Sequence, residues 1–331
     1  MAPGGEMFQH PKHFGENVLL YGSHEWLPYS KDEVRLKSLN NNLSFSEKYG
    51  IPSFECQLHL QGGTPMTYLN PGSFLRPGYN AYIDTAKNDY GTQMDVGLLI
   101  LEPGDSFRFR EEEKEIAVLL WSGSVTYAWG GRNEEAVRPD CFHYEAYCLH
   151  AGRGEEITLT AREHSELYIQ KTINETPFPA VFYTPETVQT QHAGANGELL
   201  GCMRREIKTF FDYDNAPYSN MVLGEVLNFP GKWSSYPPHH HPQPEVYFFR
   251  FDYPDGFGAG FGNDEIYRTG HNGLAIINHG FHSQTAAPGY AMCYAWGIRH
   301  LEGDPWKKTR IDDPEHAWLW KSDANDHIFQ G

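Results

Sequence analysis

No run of apolar residues in this 331-residue chain is long enough to cross a bilayer, so no membrane-spanning helix is expected. Basic residues are few: 26 Lys and Arg stand against 43 Asp and Glu, a formal net charge of −17. Nucleic acid and anionic membrane both select basic surfaces, so neither is expected as a partner. A small anionic substrate is still allowed, because a local arginine pair can oppose the global charge. Cysteine is scarce and scattered, at positions 56, 141, 148, 202 and 293. The number is odd and no C-x-x-C occurs, which argues against a disulfide framework or a zinc knuckle. The stretch Met1 to Asn17 has no apolar signal core. These features together predict a soluble protein of a reducing cytoplasm.

Helical signals are few as well. Ser30–Ser38 and Thr184–Thr190 are read as short helices, and neither carries a long apolar stripe. What fills the chain instead is β-structure. Asp95–Leu101, Ile116–Ala128, Glu156–Ala161, Leu167–Gln170, Met221–Leu227, Glu245–Tyr253, Leu274–Ile277 and Tyr290–Ile298 are short and rich in β-branched or aromatic residues, with Gly, Pro, Asn and Asp between them. Many short strands in a chain of this length predict a β-sandwich or jelly roll, and two of them.

A weak internal repeat supports two. Leu101 to Gly131 and Asn228 to Gly262 each open on Pro-Gly, run through a polar stretch, start an apolar strand with a glutamate (Glu115, Glu245) and reach a turn glycine (Gly123, Gly256). The first copy has Arg108 and Arg110 where the second has histidines, so only the second is equipped to bind a metal. The join is placed in the Thr-, Pro- and Asn-rich segment 172–198, dividing the chain into residues 1–185, without metal ligands, and 186–331, with them.

The histidines stand in "YPPHHHPQPEVYFF", Tyr236 to Phe249. Side chains alternate along an extended segment, so His239 and His241 face one way and His240 the other. Glu245 follows in phase if the strand runs on past Pro242 and Pro244. Two neutral imidazoles and a carboxylate converging inside a barrel make an incomplete divalent-metal site. "GLAIINHGFHSQTAAPGYAMCY" supplies a further ligand, His282, preferred over His279 because it follows the Gly280 turn. The plainer readings are that His240 faces solvent or backs the ligands, and that His279 caps a turn.

Together, "WSSYPPHHHPQPEVYFF", "GFHSQTAAPGYAMCY" and the late "DPEHAWLW" resemble the 5-deoxy-glucuronate isomerases of myo-inositol catabolism, from about Arg204 to Trp320. That is a two-cupin family grouped with the 4-deoxy-threo-hexosulose-uronate ketol-isomerases. Two features depart from its pattern: Asn278 stands where such cupins usually place Pro, and the N-terminal part is longer.

The resemblance implies an all-β fold of two tandem cupin domains and, by matching position, His239, His241, Glu245 and His282 as ligands to one divalent ion per chain (Zn, Mn, Fe or Ni). It also implies a homo-oligomer and an aldose–ketose isomerisation of a deoxyuronic acid. Glu245, Glu225 or Tyr247 would move the proton. Arg204, Arg205 and Tyr294 would meet the sugar acid, the arginines pairing with its carboxylate. Against these roles stand plainer ones. Arg204 and Arg205 fit a surface salt bridge, the tyrosines fit core packing, and Glu225 on an apolar strand is a buried carboxylate in need of a partner. Two other functions use the same residues: a cupin dioxygenase, separable by metal identity and oxygen uptake, and a sugar-binding cupin without turnover.

Overall fold

In the computed structural model the described residues are 67–70, 74–262 and 265–330, with two short strands, β1 (Val18–Leu19) and β2 (Pro28–Tyr29), that pair antiparallel. The chain divides into two units, Met1–Gln61 and Gly62–Gly331, and all that follows concerns the second. The expected helix Ser30–Ser38 lies outside the described residues.

Short apolar runs broken by turn residues become strands here, as period-2 burial requires. In chain order they are β3 (Thr67–Leu69), β4 (Gly78–Ile83), β5 (Asp95–Leu101), β6 (Ser106–Arg110), β7 (Lys114–Trp129), β8 (Arg132–Arg138), β9 (Cys148–Ala151), β10 (Glu156–Ala161), β11 (Ser165–Ile173) and β12 (Val181–Tyr183). All but β3 join one nine-stranded sheet. Its organiser is β7, whose first half pairs with β9 and β11 and whose second half pairs with β8 and β10. Gly123 makes the bend between them. Its φ of 111° is left-handed, and a Cβ there would sit 2.2 Å from Ser165 Oγ and 2.6 Å from a backbone oxygen.

The second set is β13 (Thr190–Ala193), β14 (Arg205–Phe211), β15 (Met221–Asn228), β16 (Trp233–His240), β17 (Glu245–Phe251), β18 (Phe257–Gly262), β19 (Glu265–Gly270), β20 (Leu274–Ile277), β21 (His282–Ala286), β22 (Met292–Arg299) and β23 (Ile311–Asp312). It builds a seven-stranded sheet, ordered β13-β14-β15-β22-β17-β20-β3, and a five-stranded sheet, ordered β19-β18-β21-β16-β23. The pairing of β3 with β20 means that a strand from before the first set completes the sheet of the second. The fold is all-β. Among the described residues helices are short, such as the 3-10 segment Pro314–Trp320 and the turn Ala324–His327, and none is long and apolar enough to cross a membrane. The helix expected over Thr184–Thr190 is instead one hydrogen-bonded turn, Thr187 and Val188 N–H donating to Thr184 O, after which Thr190 enters β13. Pro185 suits a first turn, but no apolar stripe follows to bury a second one.

The central strands β15, β17 and β22 are buried along both faces. Alternation divides their side chains between two cores. Val222, Val226, Tyr247, Phe249, Tyr294 and Ile298 point into the C-terminal barrel, while Leu223, Val246, Phe248, Cys293 and Ala295 point at the strands of the first set. This alternation decides which of the polar residues on these strands reach the site.

Candidate active site

Strand β16, between β21 and β23, does not pair evenly. Its register against β21 breaks between Ser234 and His239, across Pro237 and Pro238, neither of which can donate to a ladder. Pairing resumes with His239 opposite His282 on one side and opposite Asp312 of β23 on the other. The chain then crosses through His241 to Glu245, the first residue of β17 in the other sheet. Two sheets thus bring the four expected ligands to one place.

Three of them are tightly grouped. His241, Glu245 and His282 each offer one atom, all within 4.8 Å of one another, and all three side chains are buried. Among the described residues this is the one such group. Nε2 of His241 lies 3.2 Å from Glu245 Oε2, Nε2 of His282 lies 3.3 Å from the same oxygen, and the Tyr247 hydroxyl donates to it at 3.0 Å. His239 lines the same cavity with its ring centroid 4.5 Å from that of His282 and 6.3 Å from that of His241, so it stands at the rim of the cluster. His240 points away and packs edge-on against Phe281, and His279 is exposed.

The tautomers follow from the second nitrogens. Nδ1 of His239 lies 3.2 Å from Ser235 O, and Nδ1 of His282 lies 3.4 Å from Gly280 O. An N–H donated to each carbonyl leaves the Nε2 lone pairs free, the arrangement that metal-ligating imidazoles take. Burial, then the charges of His282 and Arg310, hold the His239 imidazole well below its usual pKa, so it is neutral. Burial alone would raise the Glu245 pKa, but the neighbouring His241 and His282 imidazoles outweigh it and hold the group below the ordinary carboxylate range. His282 Nε2 and His241 Nδ1 are buried without a hydrogen-bond partner. Two buried imidazoles thus keep unused nitrogens beside an ionised carboxylate. The donor set is therefore suited to a divalent ion.

The cavity beside the cluster has a volume of about 200 Å³. Its walls include Arg205, Tyr247, Tyr294, Trp306 and Arg310. Tyr294 shares a 2.5 Å hydrogen bond with Ser234 Oγ, and Arg205 Nη1 donates to Met203 O at 2.9 Å. Arg204 is not part of these walls. It is exposed, with its guanidinium 4.7 Å from the centre of the Phe229 ring. Glu225 is not part of them either. It sits on the other face of β15, paired in bidentate fashion with Arg138 at 2.7 and 2.8 Å, both side chains fully buried. The sequence reading placed Glu225 among the proton carriers; alternation along β15 turns it toward the first set of strands, where Arg138 holds it. Arg310 and Trp306 were missed. Arg310 directly precedes β23, a strand of two residues that no periodicity reveals.

The comparisons with known proteins agree with this architecture. The model of the KduI/IolB family matches residues 70–319. A 5-deoxy-glucuronate isomerase from Bacillus subtilis (strain 168) is 22% identical over 253 residues, covering 71% of this chain and 90% of its own. One from Geobacillus thermodenitrificans (strain NG80-2) is 24% identical over 242 residues, covering 67% and 84%. Among solved structures, an IolB-like protein from Salmonella typhimurium LT2 superposes with a TM-score of 0.62 at 20% identity, over 68% of this chain and 89% of that one. The Lactobacillus farciminis oxalate decarboxylase formate complex gives 0.53 at 9% identity, over 72% and 85%. These two likenesses speak for the fold, a pair of cupin-type jelly rolls, and the family match covers most of the described residues: the chain belongs to the KduI/IolB family.

Proposed function

We propose that this protein is a metal-dependent aldose–ketose isomerase that converts 5-deoxy-glucuronate to 5-dehydro-2-deoxy-gluconate. The observation that carries this reading is the grouping of His241, Glu245 and His282 at a small cavity whose wall includes His241 and Glu245 and also the Arg205 side chain. A divalent ion held by His239, His241, Glu245 and His282 would supply Lewis-acid polarisation of the sugar carbonyl. The side chains supply the rest. Isomerisation takes a proton from the carbon next to the aldehyde and returns one to the former aldehyde carbon. Tyr247 is the hydroxyl at the centre of the site, donating to Glu245 Oε2 and sharing a hydrogen bond with Ser235 Oγ. Burial first, and then the Glu245 charge, raise its pKa, so it holds its proton and is suited to donate one, while the ionised Glu245 carboxylate is the neighbouring group able to accept the proton that leaves the carbon. The deciding experiment incubates metal-loaded protein with 5-deoxy-glucuronate and follows the aldehyde proton by NMR. A signal that never decays would end the assignment.

The acid group of the substrate gives a sharper test. Arg205→Met is expected to lower kcat/KM by roughly thirty- to a thousandfold, the worth of an Arg–carboxylate contact of about 2–4 kcal/mol. Metal content should not change. Arg204→Met, on the exposed surface, should behave as wild type. Loss of kcat/KM in the Arg204 variant alone would reassign the contact.

A further inference from the structure

We propose that Arg310 and Arg205 together form a two-guanidinium seat that selects sugar acids by their carboxylate and fixes which end of the sugar reaches the His/Glu cluster. Both arginines line the cavity beside that cluster. Each is aimed by a backbone carbonyl. Arg205 Nη1 donates to Met203 O at 2.9 Å, and Arg310 Nη2 donates to Pro237 O at 2.5 Å. Arg310 is fixed further by Nε donating to Asp312 Oδ1 at 2.6 Å and by the Trp320 ring, 5.3 Å from its guanidinium carbon. Its place is tied to the ligands through the backbone, since Asp312, two residues on, pairs with His239.

The charges around the cavity are unbalanced. Arg205 has no carboxylate partner among the described residues, although its guanidinium is largely withdrawn from water. Burial, and the positive charge of Arg310, pull its pKa down. The third cation on the wall, Lys308, is engaged by Asp214 at 2.5 Å and Asp212 at 3.4 Å, both outside the cavity. A chain with a net charge of −17 thus keeps two mutually repelling guanidiniums on one small cavity: Arg310 has Asp312 as its partner, Arg205 has no carboxylate, and the acidic residue of the lining, Glu245, is taken up by the histidine cluster. An incoming carboxylate relieves that repulsion, and planar N–H groups held in fixed directions match its two oxygens. A neutral sugar gains nothing from the pair.

The proposal takes its substrate class from the isomerase reading but is tested by binding. Metal-loaded full-length protein is titrated calorimetrically with D-glucuronate and with its methyl ester. Wild type is expected to prefer the acid by about thirtyfold or more, and Arg310→Gln to reduce the preference to about threefold or less. Arg310→Lys keeps the charge but loses the planar fork, and its preference should fall between the two. If Arg310→Gln does not fold, Arg310→Lys decides. A wild-type preference retained in the tested variant, or no preference in wild type, overturns the seat. A protein that shows the Arg310-dependent preference yet leaves 5-deoxy-glucuronate unchanged supports the seat and removes the isomerase reading instead.

Discussion

Glu245→Gln is expected to lower kcat/KM by about a thousandfold or more and to leave the purified chain without its divalent ion. The amide keeps the shape of the carboxylate and removes its charge. That charge is what Glu245 Oε2 offers to His241, His282 and Tyr247, all within 3.3 Å of it. His241→Ala and His282→Ala should lose the ion as well, because each withdraws a buried imidazole that faces the same oxygen. His240→Ala and His279→Ala should retain it, since one packs on Phe281 and the other is exposed. Elemental analysis of the five variants beside their kinetics is the measurement. An ion lost with His279 and kept without His282 would move the site to the other end of the Gly280 turn.

Glu225→Ala should be the most destabilising of the single changes considered. Removing one partner of a buried ion pair typically costs about 3–5 kcal/mol, because the other charge stays behind unpaired. Here Arg138 would be left fully buried, with only the backbone oxygens of Leu120 and Tyr144 to take its N–H groups. Lys208, 3.6 Å from Glu225, would keep only Glu145, 3.3 Å away, as its carboxylate partner. Replacing both partners, as Arg138→Met with Glu225→Met, should recover most of the loss, since the surroundings are apolar. Urea unfolding midpoints of the three proteins check this. The same series tests the catalytic role first read for Glu225. If Glu225→Gln folds with wild-type stability and still loses kcat, the carboxylate acts in the reaction after all.

Much of this site could be read before any coordinates, and the limits have physical causes. Strands buried on both faces, such as Asp95–Leu101 and Leu274–Ile277, announce themselves as unbroken apolar runs, and both appear with the bounds expected of them. A strand rich in glycine is harder to read. "FGAGFG" is not among the strands named above, yet it is β18; a Cβ at Gly260 would lie 2.0 Å from the Tyr267 ring, a packing reason for the glycine that no local pattern reveals. The extended reading of the proline-bearing stretch before His241 corresponds to β16. The grouping of His241, Glu245 and His282 was foreseeable from spacing, because turn residues and strand phase are local. Glu225 showed that it needed a partner, but Arg138 lies 87 positions away, on the far side of the boundary between the two strand sets. Choosing between Arg204 and Arg205 depended on which side of β14 begins the pairing, and finding Arg310 depended on a strand too short to show a period.

Anyone who cuts this chain between its two strand sets will meet the strand Thr67–Leu69. Its three residues lie against Leu274, Ala275 and Ile276, and the Tyr68 hydroxyl accepts the N–H of Gly270 at 2.7 Å. A C-terminal fragment starting near residue 186 would carry every proposed metal ligand and still lack that cover. The uncovered strand reads Leu-Ala-Ile-Ile, with no charge and no proline to discourage pairing with another copy. Such a fragment is expected to self-associate through this strand. Supplying residues 62–77 as a separate peptide should return it to single molecules, so in this protein the half with the proposed ligands is made from two distant stretches of one chain.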